Sequence, residues 1–496
     1  MEFISGEDRE QMTFFPDSID DYVSEDNPVR VIEAYIDGLD LESLGFIRTQ
    51  TKSTGRPPYD PKDVLKLYVY GHMNRIRSSR RLETESKRNL ELLWLLRRLS
   101  PDHKTIADFR RDNPKALKNV FKDFVRLCVG LDLYGKELAA IDGSKFKAVN
   151  SKDRNFTKDK LEDRLKRLDE KIDGYLAALE KTDSGENIVC TEKPPEEIKR
   201  IVNVLKERKK QYQTYAQAIE RSGGTQISLT DSESRLMLAN GKYEVCYNVQ
   251  TAVDAKHKLI AEFSVTNDPN DKNQITPMAR QVMETLEVET IAVTADMGYN
   301  SACDIAEAIQ IGVKPHIAGT DNDFCIPVAD GVQTGITSHK DGRCVYIAER
   351  NIAICPMGNV LYPGHYKKSK GEAIYYNRQA CKQCACKCTA ESRGLRYRYR
   401  MQETNFTKEY NDKALAVKQV RIKPDKAILR QRKSIVEHPF GTVKRAMDSG
   451  YCLLKGKRKI SGEFSLIFLA YNLKRVINIL GSKELIEKMT CLASSA

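Results

Sequence analysis

Residues 290–317 read TIAVTADMGYNSACDIAEAIQIGVKPHI. Ile291, Ala292 and Val293 form a short apolar run that closes at Asp296, the pattern of a buried strand. Gly298 interrupts it. Asn300 or Ser301 is placed to cap a helix that carries Ile305 and Ile309 and stops at Gly312. A further short run, Val313 to Ile317, follows. Strand, helix and strand in one stretch predict a parallel βαβ unit, and with it an α/β domain.

The flanking sequence extends this pattern. ELAAIDGSKFKA (137–148) is an apolar run ending in Asp142, followed by alternation through Ser144, Phe146 and Ala148, a strand signal. Tyr247–Val253 and Leu259–Val265 flank Asp254 and His257 as a hairpin, and Gln274–Leu286 has helical spacing. Residues 426–447 are helical, with Val436, Phe440, Val443 and Met447 stepping by 4, 3 and 4; Pro439 either opens this helix near Glu437 or kinks it. A final apolar helix covers Phe464–Leu480.

Residues 1 to about 130 read as short helices. Asp60-Pro61, Ser100-Pro101 and Asn113-Pro114 are start signals. Such helices suit a helix-turn-helix DNA-binding module and, equally, a plain bundle. Trp94, the only tryptophan, reads as core. Between 157 and 220, Leu161, Leu165, Leu168, Ile172, Tyr175 and Leu179 keep a heptad. Ile198, Ile201, Leu205, Tyr212, Tyr215 and Ile219 resume it after Pro194-Pro195, which predicts an antiparallel coiled-coil hairpin. Residues 318–410 are rich in Gly, Asp and Cys, with little periodicity.

The chain has 496 residues, enough for about three domains. Apolar residues make up 41% and charged residues 30%, which excludes a disordered chain. Lys and Arg number 81 against 69 Asp and Glu, and the net charge of +12 favours a polyanionic partner, most often nucleic acid. No stretch approaches the ~20 apolar residues of a membrane helix, and MEFISGEDREQM lacks the basic and apolar regions of a signal peptide. The 13 cysteines are an odd number, mostly scattered singly, so the expected setting is a reducing cytoplasm.

Asp142 and Asp296 each close an apolar run, where ligands gather in α/β sheets, and two such carboxylates suit magnesium or manganese. Taken singly, each reads as a turn residue. Glu437 and Lys444 lie two helical turns apart and so share a face; taken alone, they suit the surface of an amphipathic helix. Cys355-Pro-Met-Gly and Cys381-x2-Cys384-x-Cys386-x-Cys388 resemble a pair of zinc knuckles, with Cys355, Cys381, Cys384 and Cys388 (or Cys386 as the fourth) giving a closed structural site. Basic clusters lie at RGLRYRYR (393–400), Lys418–Lys433 and Lys455–Lys459. A further run of Arg75, Arg77, Arg80 and Arg81 in the helical region suits DNA contact.

IDGSKF around Asp142, ADMGY around Asp296 and VEHPFGTVKR around Glu437 resemble the three signature segments of bacterial insertion-sequence DDE transposases. YNVQTAVD, VTNDPNDKNQ, GRPPYDPKDVLKLYVYG and SPDHKTIADFRR extend the likeness over nearly the whole chain. The last signature resembles the family's Tyr-x2-Arg-x3-Glu-x6-Lys pattern. Glu437 and Lys444 match it, while Arg430 and Lys433 stand in place of its Tyr and Arg.

The resemblance implies an α/β fold: a ribonuclease-H-like mixed sheet with flanking helices. It would follow an all-α N-terminal domain (1–130, DNA-binding). The core (131–480) would be interrupted by the coiled-coil hairpin (151–224) and by the cysteine-rich, zinc-binding insertion (318–410), with a tail at 481–496. It further implies that Asp142, Asp296 and Glu437 hold catalytic magnesium, and that Lys444, with Lys433 and Arg430 near it, contacts DNA. The implied activity is binding of terminal inverted repeats, strand cleavage at the element ends and joining of 3′-hydroxyl ends to target DNA. The implied partner is double-stranded DNA, bound by a homodimer in the bacterial nucleoid, with no membrane involved. The alternatives are a transposon-derived DNA-binding protein that does not cut, and a ribonuclease-H-like nuclease without transposition.

Overall fold

The computed structural model describes residues 18–47, 49, 58–183, 194–222, 224–239, 241–318, 322–327, 337–338, 345–347, 352–354, 360–367, 372–383, 396–400, 417–422 and 424–495. It divides into two compact units. The first comprises residues 1–271, 284–287 and 433–496, and the second 272–283 and 288–432.

The first unit opens with helices α1 (Pro28–Asp37), α2 (Pro61–Met73), α3 (Ser79–Ser86), α4 (Leu90–Leu95), α5 (His103–Asp112) and α6 (Pro114–Gly130). Asp60 caps α2 by accepting from the Lys62 amide at 2.8 Å, with Pro61 in the first turn. Helix α5 starts later than Ser100-Pro101 suggests, because Asp102 is the cap: its Oδ1 accepts from the amides of Lys104 and Thr105. Asn113 precedes α6 but spends its side chain elsewhere. It accepts from the Ile47 amide and donates to the Phe109 carbonyl, both at 2.9 Å. Trp94 is buried, and its Nε1 donates to Asp20 at 2.7 Å, so the indole's polar edge is satisfied.

Strand β1 (Leu138–Lys147) follows, then β2 (Asn155–Thr157), helices α7 (Lys158–Asp183) and α8 (Pro195–Ser222), and strands β3 (Gln226–Ser228), β4 (Arg235–Ala239), β5 (Lys242–Asp254) and β6 (Ile260–Thr266). β5 pairs antiparallel with β1, β4 and β6. β1 continues five residues beyond Asp142, which sits mid-strand opposite Thr251 rather than at a strand end. The reason is Phe146, fully buried on the alternating face, which extends the pairing past the apolar run. α7 and α8 run antiparallel: Leu161 packs with Ile219 at one level, and Ile172 with Ile198 and Val202 at another. Val202, not Ile201, is the buried residue of that second layer.

α9 (Ile275–Leu286), all but its last three residues in the second unit, precedes that unit's β7 (Ile291–Ala295), α10 (Ala302–Gln310) and β8 (Val313–Ile317). β7 and β8 pair in parallel from Ile291↔Val313 to Ala295↔Ile317, as the opening stretch predicts. Asp304 on α10 caps α9, accepting from the amides of Ile275 and Thr276 at 3.0 Å each. The Gly- and Cys-rich stretch contains β9 (Asn322–Pro327), β10 (Thr337–Ser338), β11 (Val345–Ile347), β12 (Ile352–Ile354), β13 (Val360–Lys367), β14 (Glu372–Tyr376), α11 (Arg378–Gln383) and β15 (Arg396–Arg400), and β16 (Val417–Ile422) follows it. β10 to β15 pair in succession as an antiparallel meander, and β16 pairs with β9. Several of these strands have only two or three residues, too short to leave a periodic pattern in the sequence.

Helix α12 (Lys426–Gly441) passes into a π-turn (Thr442–Ala446), and α13 (Lys457–Leu480) and α14 (Ser482–Ser495) follow. α13 is buried from Phe464 to Leu473, packs on α6 and α2, and crosses β6. There Asn472 accepts from the Ile260 amide and donates to its carbonyl, and Phe468 meets Phe263 edge-on at 4.9 Å. The fold is thus mixed α/β, with both antiparallel and parallel strand pairs. Among the described residues no single helix is long and apolar enough to cross a membrane.

Candidate active site

Side chains alternate along a strand, so Asp142, Ser144 and Phe146 share one face of β1. Phe146 identifies what covers that face: it lies 6.2 Å from Phe440 on α12 and 4.7 Å from Phe464 on α13. Along α12 and the turn that extends it, Glu437, Phe440 and Lys444 recur at spacings of three and four, one side of a helix. Lys444 reaches down onto β1. Its Nζ donates to Ser144 Oγ at 2.6 Å and to the Lys145 carbonyl at 3.1 Å, and lies 4.6 Å from the centre of the Phe146 ring. Burial pushes the Lys444 pKa below its ordinary value, partly offset by the Cys246 thiol and the Asp142 carboxylate.

Pro439 neither opens α12 nor ends it; it lies buried inside the helix. A proline cannot donate to the carbonyl four residues back. Three residues on, the backbone widens to π pitch over Thr442–Ala446, a local geometry that recurs at functional sites. Lys444 stands in that turn.

Around Asp142 the backbone is tightly held. Asp142 Oδ1 accepts from the Gly143 amide at 3.0 Å, and Thr251 Oγ1 donates to the Asp142 carbonyl at 3.4 Å. Gly143 points to the opposite face. A Cβ there would lie 2.3 Å from Gln250 Nε2, 2.5 Å from Asp271 Oδ1 and 3.0 Å from Asn248 Oδ1. The fully buried amides of Asn248 and Gln250 each donate to Asp271 Oδ1 at 2.7 Å. The sequence reading assigned Asp271 no role; its one signal was its place in VTNDPNDKNQ.

In the second unit, Asp296 follows the last residue of β7. Its Oδ1 accepts from the Gly298 amide at 2.8 Å and caps the turn at Met297–Tyr299. Glu437 is exposed and lies 3.8 Å from the exposed Lys433 one turn earlier, and Arg430 is exposed on the same helix.

The basic run in the N-terminal helices divides. Arg80 and Arg81 are exposed, but Arg77 is buried against Glu463 at 3.0 Å, so it is a core cation rather than a DNA contact. Cys355, Cys384, Cys386 and Cys388 lie outside the described residues, as does the Cys381 side chain. The backbone of RGLRYRYR from Arg396 to Arg400 forms β15, paired with β14, and its side chains are outside the description. Among the described residues no group of three or more His, Cys, Asp or Glu side chains is gathered to hold a metal ion.

Residues 17–112 match the family described as Transposase domain (DUF772), and residues 354–477 match the Transposase DDE domain. The second match contains Arg430, Lys433, Glu437 and Lys444. No curated protein matches the chain. Among solved structures it is similar to the piggyBac transposase synaptic complex with hairpin DNA, at 11% identity and a TM-score of 0.30, over 95% of this chain and 80% of that one. With a transposase domain followed by a transposase DDE domain, the chain is a DDE transposase.

Proposed function

We propose that this transposase cleaves DNA at the ends of its own insertion sequence and joins the freed 3′-hydroxyls to target DNA, with Asp142, Asp296 and Glu437 as its three acids. The observation that carries this reading is Lys444. A lysine seven residues after Glu437 is lodged on the face of β1 that bears Asp142, two residues from it in the strand. Carboxylate oxygens are the donors that magnesium and manganese take, and Asp142 retains solvent access. A divalent cation held by these acids would supply Lewis acidity and a low-pKa water. The chain's own part is to orient the scissile phosphate. Lys444 offers it a fixed ammonium, with Ser144 and the Lys145 carbonyl determining where that charge sits. Arg430 and Lys433, exposed on α12, contact the backbone of the bound end.

The same reading makes 1–130 the end-recognition domain and 131–480 a ribonuclease-H-like core. Residues 151–224 are read as a coiled-coil arm, 318–410 as an insertion ordered by zinc at Cys355, Cys381, Cys384 and Cys388, and 481–496 as a tail. The protein would act as a homodimer on paired ends in the bacterial cytoplasm.

The test is cleavage of a duplex carrying the element's terminal repeat. Asp142→Asn, Asp296→Asn and Glu437→Gln should each abolish cutting in magnesium while leaving binding of the repeat nearly intact. A variant that cuts at the wild-type rate removes that residue from the centre. A wild type that cuts but never joins ends to target favours the nuclease alternative.

A further inference from the structure

We infer that Arg77, in the loop after α2, is a positioning residue for the Lys444 site and joins the N-terminal transposase domain to the catalytic helix. The inference rests on the reading above. Arg77 is only 4% exposed, and its guanidinium is spent almost entirely on one segment. Nη1 donates to the Asp448 carbonyl at 2.8 Å. Nη2 donates to the Tyr451 carbonyl at 2.5 Å and to Glu463 Oε1 at 3.0 Å, and the guanidinium carbon lies 4.5 Å from the centre of the Tyr451 ring. Arg75, two residues earlier and exposed, donates from Nε to the Ala446 carbonyl. Two arginines of one loop thus hold residues 446–451, which leave the π-turn directly after Lys444.

The far end of the segment is fixed to the same parts. Glu463, fully buried, also accepts from the amides of Leu453 and Leu454. Cys452 donates its amide to the Lys147 carbonyl at 2.8 Å, beside a parallel bridge between Lys147 and Tyr451, so the segment lies against the end of β1 three residues past Ser144. The near end folds back on the turn, where the Met447 amide donates to Thr442 and the Ser449 amide to Val443. Lys444 is therefore held from two sides: Ser144 receives its ammonium, and Arg77 fixes the chain that leaves its backbone. The π-turn is a single-turn bulge of i→i+5 bonds, and the carbonyls that follow it are gripped by a planar, multidentate cation. Lysine in place of Arg77 keeps the charge but loses the fork.

The test compares wild type, Arg77→Lys and Arg75→Ala as full-length chains, with Asp142→Asn as a control. Four quantities are measured: melting temperature, affinity for terminal-repeat DNA, the single-turnover cleavage rate, and the rate at which an amine-reactive probe labels Lys444 in the free protein, read by peptide mapping. Arg77→Lys should slow cleavage about tenfold or more at unchanged affinity and raise Lys444 labelling several-fold. Arg75→Ala, an exposed change that does not threaten folding, should shift both in the same direction by less. The inference is overturned if Arg77→Lys cuts at the wild-type rate. It is equally overturned if lost activity merely follows a lowered melting temperature with Lys444 labelling unmoved. If Asp142→Asn cuts normally, it is the active-site reading that has failed.

Discussion

Lys444 and Ser144 are 300 positions apart in sequence and 2.6 Å apart in space, with the lysine donating. The contact places a half-buried ammonium against a strand residue inside the first signature segment, IDGSKF.

That burial has a consequence in pH. The folded-state pKa of Lys444 is depressed below the ordinary 10.5, with Ser144, Phe146, Cys246 and Asp142 as its surroundings. Its charged form therefore disappears at lower pH than that of a free lysine. A cleavage rate that needs the ammonium should fall on the alkaline side before pH 10.5. Lys444→Arg, which stays charged, should cut more slowly but lose that alkaline limb. A rate profile for both proteins decides it, and an identical limb in both assigns the titration to another group.

Gly143→Ala should destabilise the protein by about 1–3 kcal/mol, because the added methyl has no room. It would meet the ends of Gln250, Asp271 and Asn248, two of which are buried amides already committed to one carboxylate. Urea unfolding measures the loss. A wild-type midpoint would show that the Asp271 cluster yields freely and does not hold β1.

His72 should make the fold acid-labile. Its ring is fully buried, and both nitrogens lack a hydrogen-bond partner among the described residues. Burial, with Arg77 and Arg110 nearby, holds its pKa well below the ordinary 6.5. The native state thus binds fewer protons than the unfolded chain. The contribution is complete above pH 6.5 and is lost as pH falls below it, at up to ~1.4 kcal/mol per unit. His72→Phe, stacked on Tyr68 in the same way, should lose less stability between pH 7 and pH 5 than wild type. Equal losses would acquit His72.

Gly462→Ala should reverse the usual sign of a helical glycine substitution. Alanine gains about 1 kcal/mol in an exposed helix, but here its Cβ would stand 2.7 Å from Pro114 Cα and 2.9 Å from Pro114 Cβ. α13 can approach α6 only because that methyl is missing. A raised melting temperature would refute the close approach.

What the sequence disclosed follows from how local each signal is. The βαβ unit was legible because Ile291–Val293, Gly298, Gly312 and Val313–Ile317 carry the whole pattern within one stretch, and β7 and β8 pair as expected. The hairpin around Asp254 was legible for the same reason. Asp142 looked like the end of a buried run because the apolar residues stop there, and the alternation through Ser144, Phe146 and Ala148 marked the strand's continuation, whereas no local pattern encodes that Phe146 meets Phe440 on α12. Arg77 looked like a surface cation because its counter-charge, Glu463, lies 386 residues away. The spacing of Glu437 and Lys444 showed that they share a face, and only the fold shows that this face meets β1.

α13 supplies a different kind of consequence, one of timing. Its buried face covers α2 and α6, so helices made early in synthesis wait for a partner emitted more than 300 residues later. Until residues 457–480 leave the ribosome, the faces of α2 and α6 that meet α13 have no lid. A nascent chain stopped before that point carries a bare apolar face, the kind of surface that chaperones and proteases recognise. The order of synthesis therefore acts as a length check: the N-terminal transposase domain closes only on chains that already carry α12.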